Sequence, residues 1–240
     1  MSEAYSVVSK YYDKLIEYPY EKVLMLVQKH KKEGKAIDLF CGTGHFTIML
    51  AKNGFCVSGS DLSSEMLQKA MEDARQQGLN VVFKKENALN FSSFGGLDLI
   101  TATCDGLNYI EKSKLEPFFQ KIYDVLRDGG YFIFDISSFY KLSVILGNNV
   151  YFEDYDDVTY FWRNTFRKKD NSVKLELTFF VPDGSGKFTR EDETQRQFAH
   201  SENELRELSE RVGFSVVEVL GENFEKPNEK SERLYFVLKK

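Results

Sequence analysis

Two acids and a pair of glycines are the residues whose types and spacing most directly suggest chemistry. Asp38 stands four residues before Gly42, in the run Ile37-Asp38-Leu39-Phe40-Cys41-Gly42-Thr43-Gly44-His45-Phe46. Gly42 and Gly44 carry no Cβ, so the backbone there can come close to a ligand. A nicotinamide dinucleotide site wants a third glycine where this chain has Thr47, and a pyrophosphate beside the loop rather than a carboxylate before it. The charge of Asp38 suits instead a ligand that presents an ammonium. That points to an amino-acid-bearing nucleoside. Asp61 is a second acid, 17 residues after Gly44. Blander roles exist for both: Asp38 can orient the glycine turn, and Asp61 can cap the next helix, although Ser63 and Ser64 already offer that cap.

Other residues are candidates for moving protons or recognising a substrate. His200 has a side chain suited to deprotonating an amine or hydroxyl near neutral pH, and Tyr109 with Asn108 is placed to contact substrate. Each has a structural alternative, a loop hydrogen bond for His200 and core packing for Tyr109. Cys41 and Cys104 read as small packing residues beside a ligand rather than nucleophiles, since nothing nearby depresses a thiol pKa. The aromatic run Tyr151, Phe152, Tyr155, Tyr160, Phe161 and Trp162 is read as a pocket wall, strand packing or a subunit surface. Arg163 and Arg167, on one strand face, either recognise an anion or are solvated.

These residues need elements to position them. From residue 36 to about 136, short apolar runs alternate with helix-period segments, the pattern of βαβ units over a parallel sheet. Strands are expected at 36–40, 55–60, 81–85, 97–103 and 131–136. A helical N-terminal region is expected at 5–32. Ser113 with Glu116 and Ser201 with Glu204 have the spacing of capping boxes opening helices. Beyond Ile136 the rhythm changes. A short helix at 137–146 precedes strands at 158–167, 173–181 and 188–198, joined by turn-forming residues as a three-stranded meander. Two final strands, 214–220 and 234–239, follow the last helix. In an open parallel sheet the first strand-to-helix turn lies at the carboxyl edge, where ligands bind.

With those residues in place, the glycine-rich segment resembles motif I of class I S-adenosylmethionine-dependent methyltransferases of the small-molecule type, similar to amino-sugar and glycine N-methyltransferases. The resemblance continues at Gly59-Ser60-Asp61-Leu62-Ser63, Glu86-Asn87-Ala88, Asp98-Leu99-Ile100-Thr101, Cys104-Asp105-Gly106-Leu107-Asn108-Tyr109 and Leu126-Arg127-Asp128-Gly129-Gly130. It implies an α/β Rossmann-like sandwich of seven strands in the order 3-2-1-4-5-7-6, the last antiparallel, with an inserted antiparallel β lobe. Residues 1–136 and 200–240 would form the cofactor-binding domain and 137–199 the lobe closing a substrate pocket. It also implies S-adenosyl-L-methionine as cofactor. Asp38, Gly42 and Gly44 would hold its methionine moiety, with Cys41 packed nearby, and Asp61 its ribose. Leu62, Met66, Asn87 and Ala88 would meet the adenine, Asn87 standing where the family usually has Asp. Cys104 and Tyr12, the latter in a Tyr11-Tyr12-Asp13 segment, would lie near the sulfur. His200 and Tyr109 are the catalytic candidates, though a base is not essential to this chemistry.

Composition narrows the remaining choices. The 32 Lys and Arg against 37 Asp and Glu give a formal net charge of −5, which argues against duplex nucleic acid as the main partner. Hydrophobic residues make up 42% of the 240, enough for a sizeable core. No apolar run is long enough for a bilayer, and neither a leader nor a cysteine framework is apparent, so a cytoplasmic monomer or homodimer is expected. Three scattered cysteines and three histidines offer little for a metal. The expected activity is methyl transfer to a nitrogen or oxygen of a small-molecule acceptor. A nicotinamide-dependent oxidoreductase and a non-catalytic cofactor-binding module are the alternatives.

Overall fold

The structure is a computed structural model that describes residues 17–93 and 95–240. Its main sheet has seven strands. In chain order, α1 (Tyr20–His30) leads into β1 (Gly34–Leu39), α2 (His45–Lys52), β2 (Phe55–Asp61), α3 (Ser64–Gln76) and β3 (Val82–Lys85). These are followed by β4 (Leu97–Ala102), α4 (Lys112–Val125) and β5 (Leu126–Ser137). After a second sheet, α5 (Glu202–Val212), β10 (Ser215–Leu220) and β11 (Arg233–Lys239) complete the first. β1 pairs in parallel with β2 and β4, whereas β11 runs antiparallel to both β5 and β10. The strands lie in the order β10-β11-β5-β4-β1-β2-β3, so the expected order and its single reversed strand are both present.

Alternating side chains divide the sheet between two helical layers, because successive residues of a strand face opposite ways. Phe132, Phe134 and Ile136 of β5 pack with Phe118, Phe119 and Ile122 of α4 and with Leu205 and Leu208 of α5. Ile133 lies in the opposite layer with Val23 and Val27 of α1 and Phe46 and Leu50 of α2. The helix starts behave differently from one another. Ser201 and Glu204 form both bonds of a capping box. Ser113 does not cap α4, which begins one residue earlier with Glu111 at the N-cap position and no side-chain cap. The expected box fails there because its serine is already inside the first turn.

The second sheet is antiparallel, β6 (Val150–Asp154), β7 (Thr159–Arg167), β8 (Ser172–Pro182) and β9 (Phe188–Phe198), in that order. It has four strands where the sequence predicts three. The additional β6 is an edge strand with no buried side chain, so it carries none of the alternation by which a strand is recognised. The helix expected at 137–146 is a wide turn of π type at Lys141–Leu146. One buried side chain ties the two sheets together: the Asn108 amide donates to the carbonyls of Ser137 (3.1 Å) and Phe198 (2.9 Å), and its oxygen accepts from the Ser137 amide at 2.8 Å. No helix among the described residues is long and apolar enough to cross a membrane.

Candidate functional site

The carboxyl ends of β1 to β4 and the strand β9 enclose a cleft of about 480 Å³, ample for a nucleoside. The turn after β1 contributes Phe40 and Gly42, the end of β2 and its turn Asp61 and Leu62, and the turn after β3 Glu86 and Ala88. Opposite them stand Cys104, Gly106 and Tyr109 after β4, and Thr194, Gln195 and Arg196 from β9.

Asp61 joins the first two turns. Its Oδ2 accepts from the Gly42 amide at 3.0 Å and its Oδ1 from the Ser63 amide at 2.9 Å, while the Ser63 hydroxyl caps α3 at Met66. Burial pushes the Asp61 carboxyl up, and those amides oppose the shift. Leu62 on the lip is 58% exposed, an apolar side chain of that size facing water beside a cleft. Met66 and Ala88 line the cleft floor and are buried. The side chain of Asn87 turns away to accept from the Leu89 amide, capping a short 3-10 turn.

The two glycines have separate functions. Gly42, at φ +53°, has nothing within 4 Å of the place a Cβ would occupy, so its face opens on the cleft. A Cβ on Gly44, at φ +74°, would lie 2.7 Å from Ala70 Cβ and 2.9 Å from the Phe83 ring. Gly44 therefore permits α3 and β3 to pack over the turn. Asp38 lies beneath it with no solvent exposure and does not line the cleft. Thr47 and Thr101 hydroxyls donate to its two oxygens at 2.6 and 2.7 Å. Burial raises its pKa to about 6, opposed by the two hydroxyls and reinforced by Asp61. Thr47, which occupies the place of a dinucleotide glycine, is thus the partner of the acid. Cys41 is buried and its thiol is pushed well up, by burial first and then by Asp38 and Asp61. It has no nucleophilic character.

Cys104 and Asp105 are consecutive non-glycine residues at φ +57° and +51°, a costly arrangement that needs support. Asp135 of β5 supplies it by accepting from both amides, at 2.8 and 3.0 Å. The same carboxylate receives the Tyr18 hydroxyl at 2.5 Å and the Arg233 guanidinium. Burial pushes Asp135 up against the pull of Arg233. The other end of Arg233 meets Asp105 at 2.9 Å, and Gln197 of β9 donates to Asp105 at 2.9 Å. Sequence reading misses this cluster because its hydrogen-bonded pairs lie 30 to 128 residues apart and share no local pattern. The positive-φ pair at the end of β4 leaves no mark in residue type.

Tyr109 lines the cleft and donates to Gln195 Oε1 at 2.7 Å; Gln195 Nε2 donates to the buried Glu193 at 2.6 Å. His200 is buried away from the cleft, its Nε2 donating to the Ile110 carbonyl at 3.0 Å, and burial lowers its pKa. Arg163 is exposed and Arg167 pairs with Asp170; the arginine that reaches the cleft is Arg196. Tyr151 and Trp162 pack on the core under β8, and Phe152 and Phe161 stack on the outer face. Tyr12 lies outside the described residues.

A methyltransferase domain family matches residues 36–130. Over 98% of this chain and 99% of its own length, a protein of Geobacillus sp. (strain WCH70) that carries a provisional methyltransferase name is 35% identical. The crystal structure of an S-adenosylmethionine-dependent methyltransferase from Clostridium acetobutylicum superposes with a TM-score of 0.86 at 30% identity, covering 97% of this chain and 96% of that one. An amino pentose methyltransferase from Micromonospora echinaspora, solved with S-adenosylmethionine bound, shares the fold at TM-score 0.77 and 15% identity, over 100% of this chain and 98% of its own.

Proposed function

Because the chain belongs to the S-adenosylmethionine-dependent methyltransferases, we propose that it methylates a nitrogen or oxygen of a small-molecule acceptor seated where Tyr109 and β9 close the cleft. What carries this reading is that the cleft has two unlike ends, one lined by Asp61, Leu62, Met66 and Ala88 and a polar one at Tyr109 and Gln195. Asp61 has carboxylate lone pairs beyond those used by Gly42 and Ser63, suited to the two ribose hydroxyls. Leu62, Met66 and Ala88 would flank the adenine, Gly42 would give backbone access, and Cys104 would lie near the sulfur. Asp38 supports the turn from below, and its charge would act toward the methionine ammonium. When bound, the cofactor supplies a methyl group activated on a sulfonium and leaves as a neutral thioether.

Polarity at the acceptor end follows from donor counting. A Glu193 carboxylate only accepts, so the Gln195 amide turns its NH₂ toward it and its oxygen toward Tyr109. Tyr109 has then given up its one proton, and toward the cleft its oxygen can only accept. That wall suits an acceptor bearing N–H or O–H, and orients it for in-line attack with little need of a base. His200 is buried on the Ile110 carbonyl away from the cleft, with burial lowering its pKa, so the proton displaced by methylation passes to solvent. A small acceptor is further favoured by the net charge of −5.

The test is to incubate the protein with S-adenosylmethionine and a panel of amines, amino sugars, hydroxy compounds, thiols and transfer RNA, measuring S-adenosylhomocysteine. We expect turnover with an amine or hydroxyl compound, lowered at least tenfold in Asp61→Ala through weaker cofactor binding. Turnover only with a thiol, a carbon acceptor or RNA would overturn the proposal.

A further inference from the structure

The ion cluster behind the Cys104–Asp105 turn has more negative charge than its structural task requires. Asp105 and Asp135 share the single guanidinium of Arg233, and their side chains are 17% and 0% exposed. The remaining side-chain donors to these carboxylates, Tyr18 and Gln197, are neutral. Among these described residues the formal sum is therefore −1. Charged side chains lining the cleft do not alter it, since Lys85 and Arg196 are matched by Asp61 and Glu86. Asp38, beneath the neighbouring turn, adds to the same sign.

Asp135 alone receives the two strained amides, so the turn does not need a charge on Asp105. Asparagine is at least as comfortable at positive φ and would keep an oxygen for Arg233. Asp105 also accepts from Arg233 and Gln197, one on each oxygen, but the turn itself does not call for its charge. Its neighbours in sequence, Cys104 and Gly106, both form the wall of the cleft. A carboxylate directly behind that wall and largely out of water is poorly screened from whatever charge the cleft holds.

We propose that the Asp105–Arg233–Asp135 cluster is an electrostatic selector that favours the sulfonium of S-adenosylmethionine over the neutral thioether of S-adenosylhomocysteine, easing exchange of product for fresh cofactor. The inference rests on the placement of the sulfur beside Cys104 proposed above. No bond is made or broken in this step; one formal positive charge distinguishes the two ligands.

The experiment is calorimetric titration of both compounds, at low and at moderate salt, with wild type, Asp105→Asn, Asp105→Ser, Gln197→Ala and Asp61→Asn. Both Asp105 variants should lose roughly tenfold in affinity for S-adenosylmethionine and stay within about twofold for S-adenosylhomocysteine, with most of the difference kept at the higher salt because the cluster is largely out of water. Gln197→Ala, which breaks a bond to the cluster without changing charge, should leave the ratio of affinities at its wild-type value. Parallel losses for the two compounds in the Asp105 variants would mark a merely structural residue and overturn the selector. An unchanged ratio in folded Asp105→Asn and Asp105→Ser, each checked by its melting curve, overturns it as well. The site placement has its own readout: Asp61→Asn should weaken both compounds alike, and full retention of both would sink the placement instead.

Discussion

Asp38 shows what a single residue contributes and where type alone misleads about position. Spacing from Gly42 marks it as a functional acid, yet it lies under the turn with both oxygens engaged by threonines 9 and 63 residues away. With a folded pKa near 6 against an ordinary 3.8, its ionisation opposes folding. That opposition is absent below about pH 4, where the group is protonated folded or unfolded, and is fully present above about pH 6. Asp38→Asn should therefore gain up to about 3 kcal/mol over wild type at neutral pH, with the gain vanishing as pH falls through 6 toward 4. Urea unfolding across that range measures it. The same variant should bind S-adenosylmethionine more weakly, since it removes a negative charge from beneath the turn proposed to hold a cationic ligand.

Among the elements, the turn from β1 to α2 divides its work between two glycines that look alike in sequence. Both have positive φ, so alanine is strained at either, at about 1–2 kcal/mol. Only at Gly44 does the new methyl also strike Ala70 and Phe83, atoms of a packed layer. Gly44→Ala should thus lose roughly 3 kcal/mol or more in chemical denaturation, overpacking adding to backbone strain. Gly42→Ala should lose no more than about 2 kcal/mol, but its methyl projects into the cleft, so its cofactor affinity should fall well beyond its stability. Comparison of unfolding and calorimetric data for the pair separates packing from access. The capping motifs teach a similar lesson. Ser201 and Glu204 are read correctly because every partner is local, whereas Ser113 and Glu116 have the same spacing and no cap, since helix α4 starts at Lys112.

For the whole molecule, cofactor binding to the folded state alone must raise its stability. S-adenosylmethionine at about one hundred times its dissociation constant adds about 2.7 kcal/mol, and a chain of this length should melt roughly 5–10 °C higher. NADH should produce no shift in the same scan. A shift with NADH and none with S-adenosylmethionine would contradict the assignment of the site. The cleft draws walls from both sheets, with Asn108 binding β5 to the end of β9 and Gln197 reaching from β9 to Asp105.

By itself the sequence determined the succession of strands and helices and the glycine turn, and the resemblance carried by its short motifs implied the order of the sheet and the cofactor. The elements are written in short segments, through alternation of apolar residues and glycine where a side chain has no room. Tertiary structure alone decided which acid faces the cleft, that β9 supplies Thr194, Gln195 and Arg196 in place of Arg163 and Arg167, and that His200 is a buried loop contact. It also brought Asp105, Asp135 and Arg233 together. The physical reason is range: backbone propensity and amphipathic period act over a few residues, but the direction of a side chain and the net charge around a ligand depend on strands that meet only after folding.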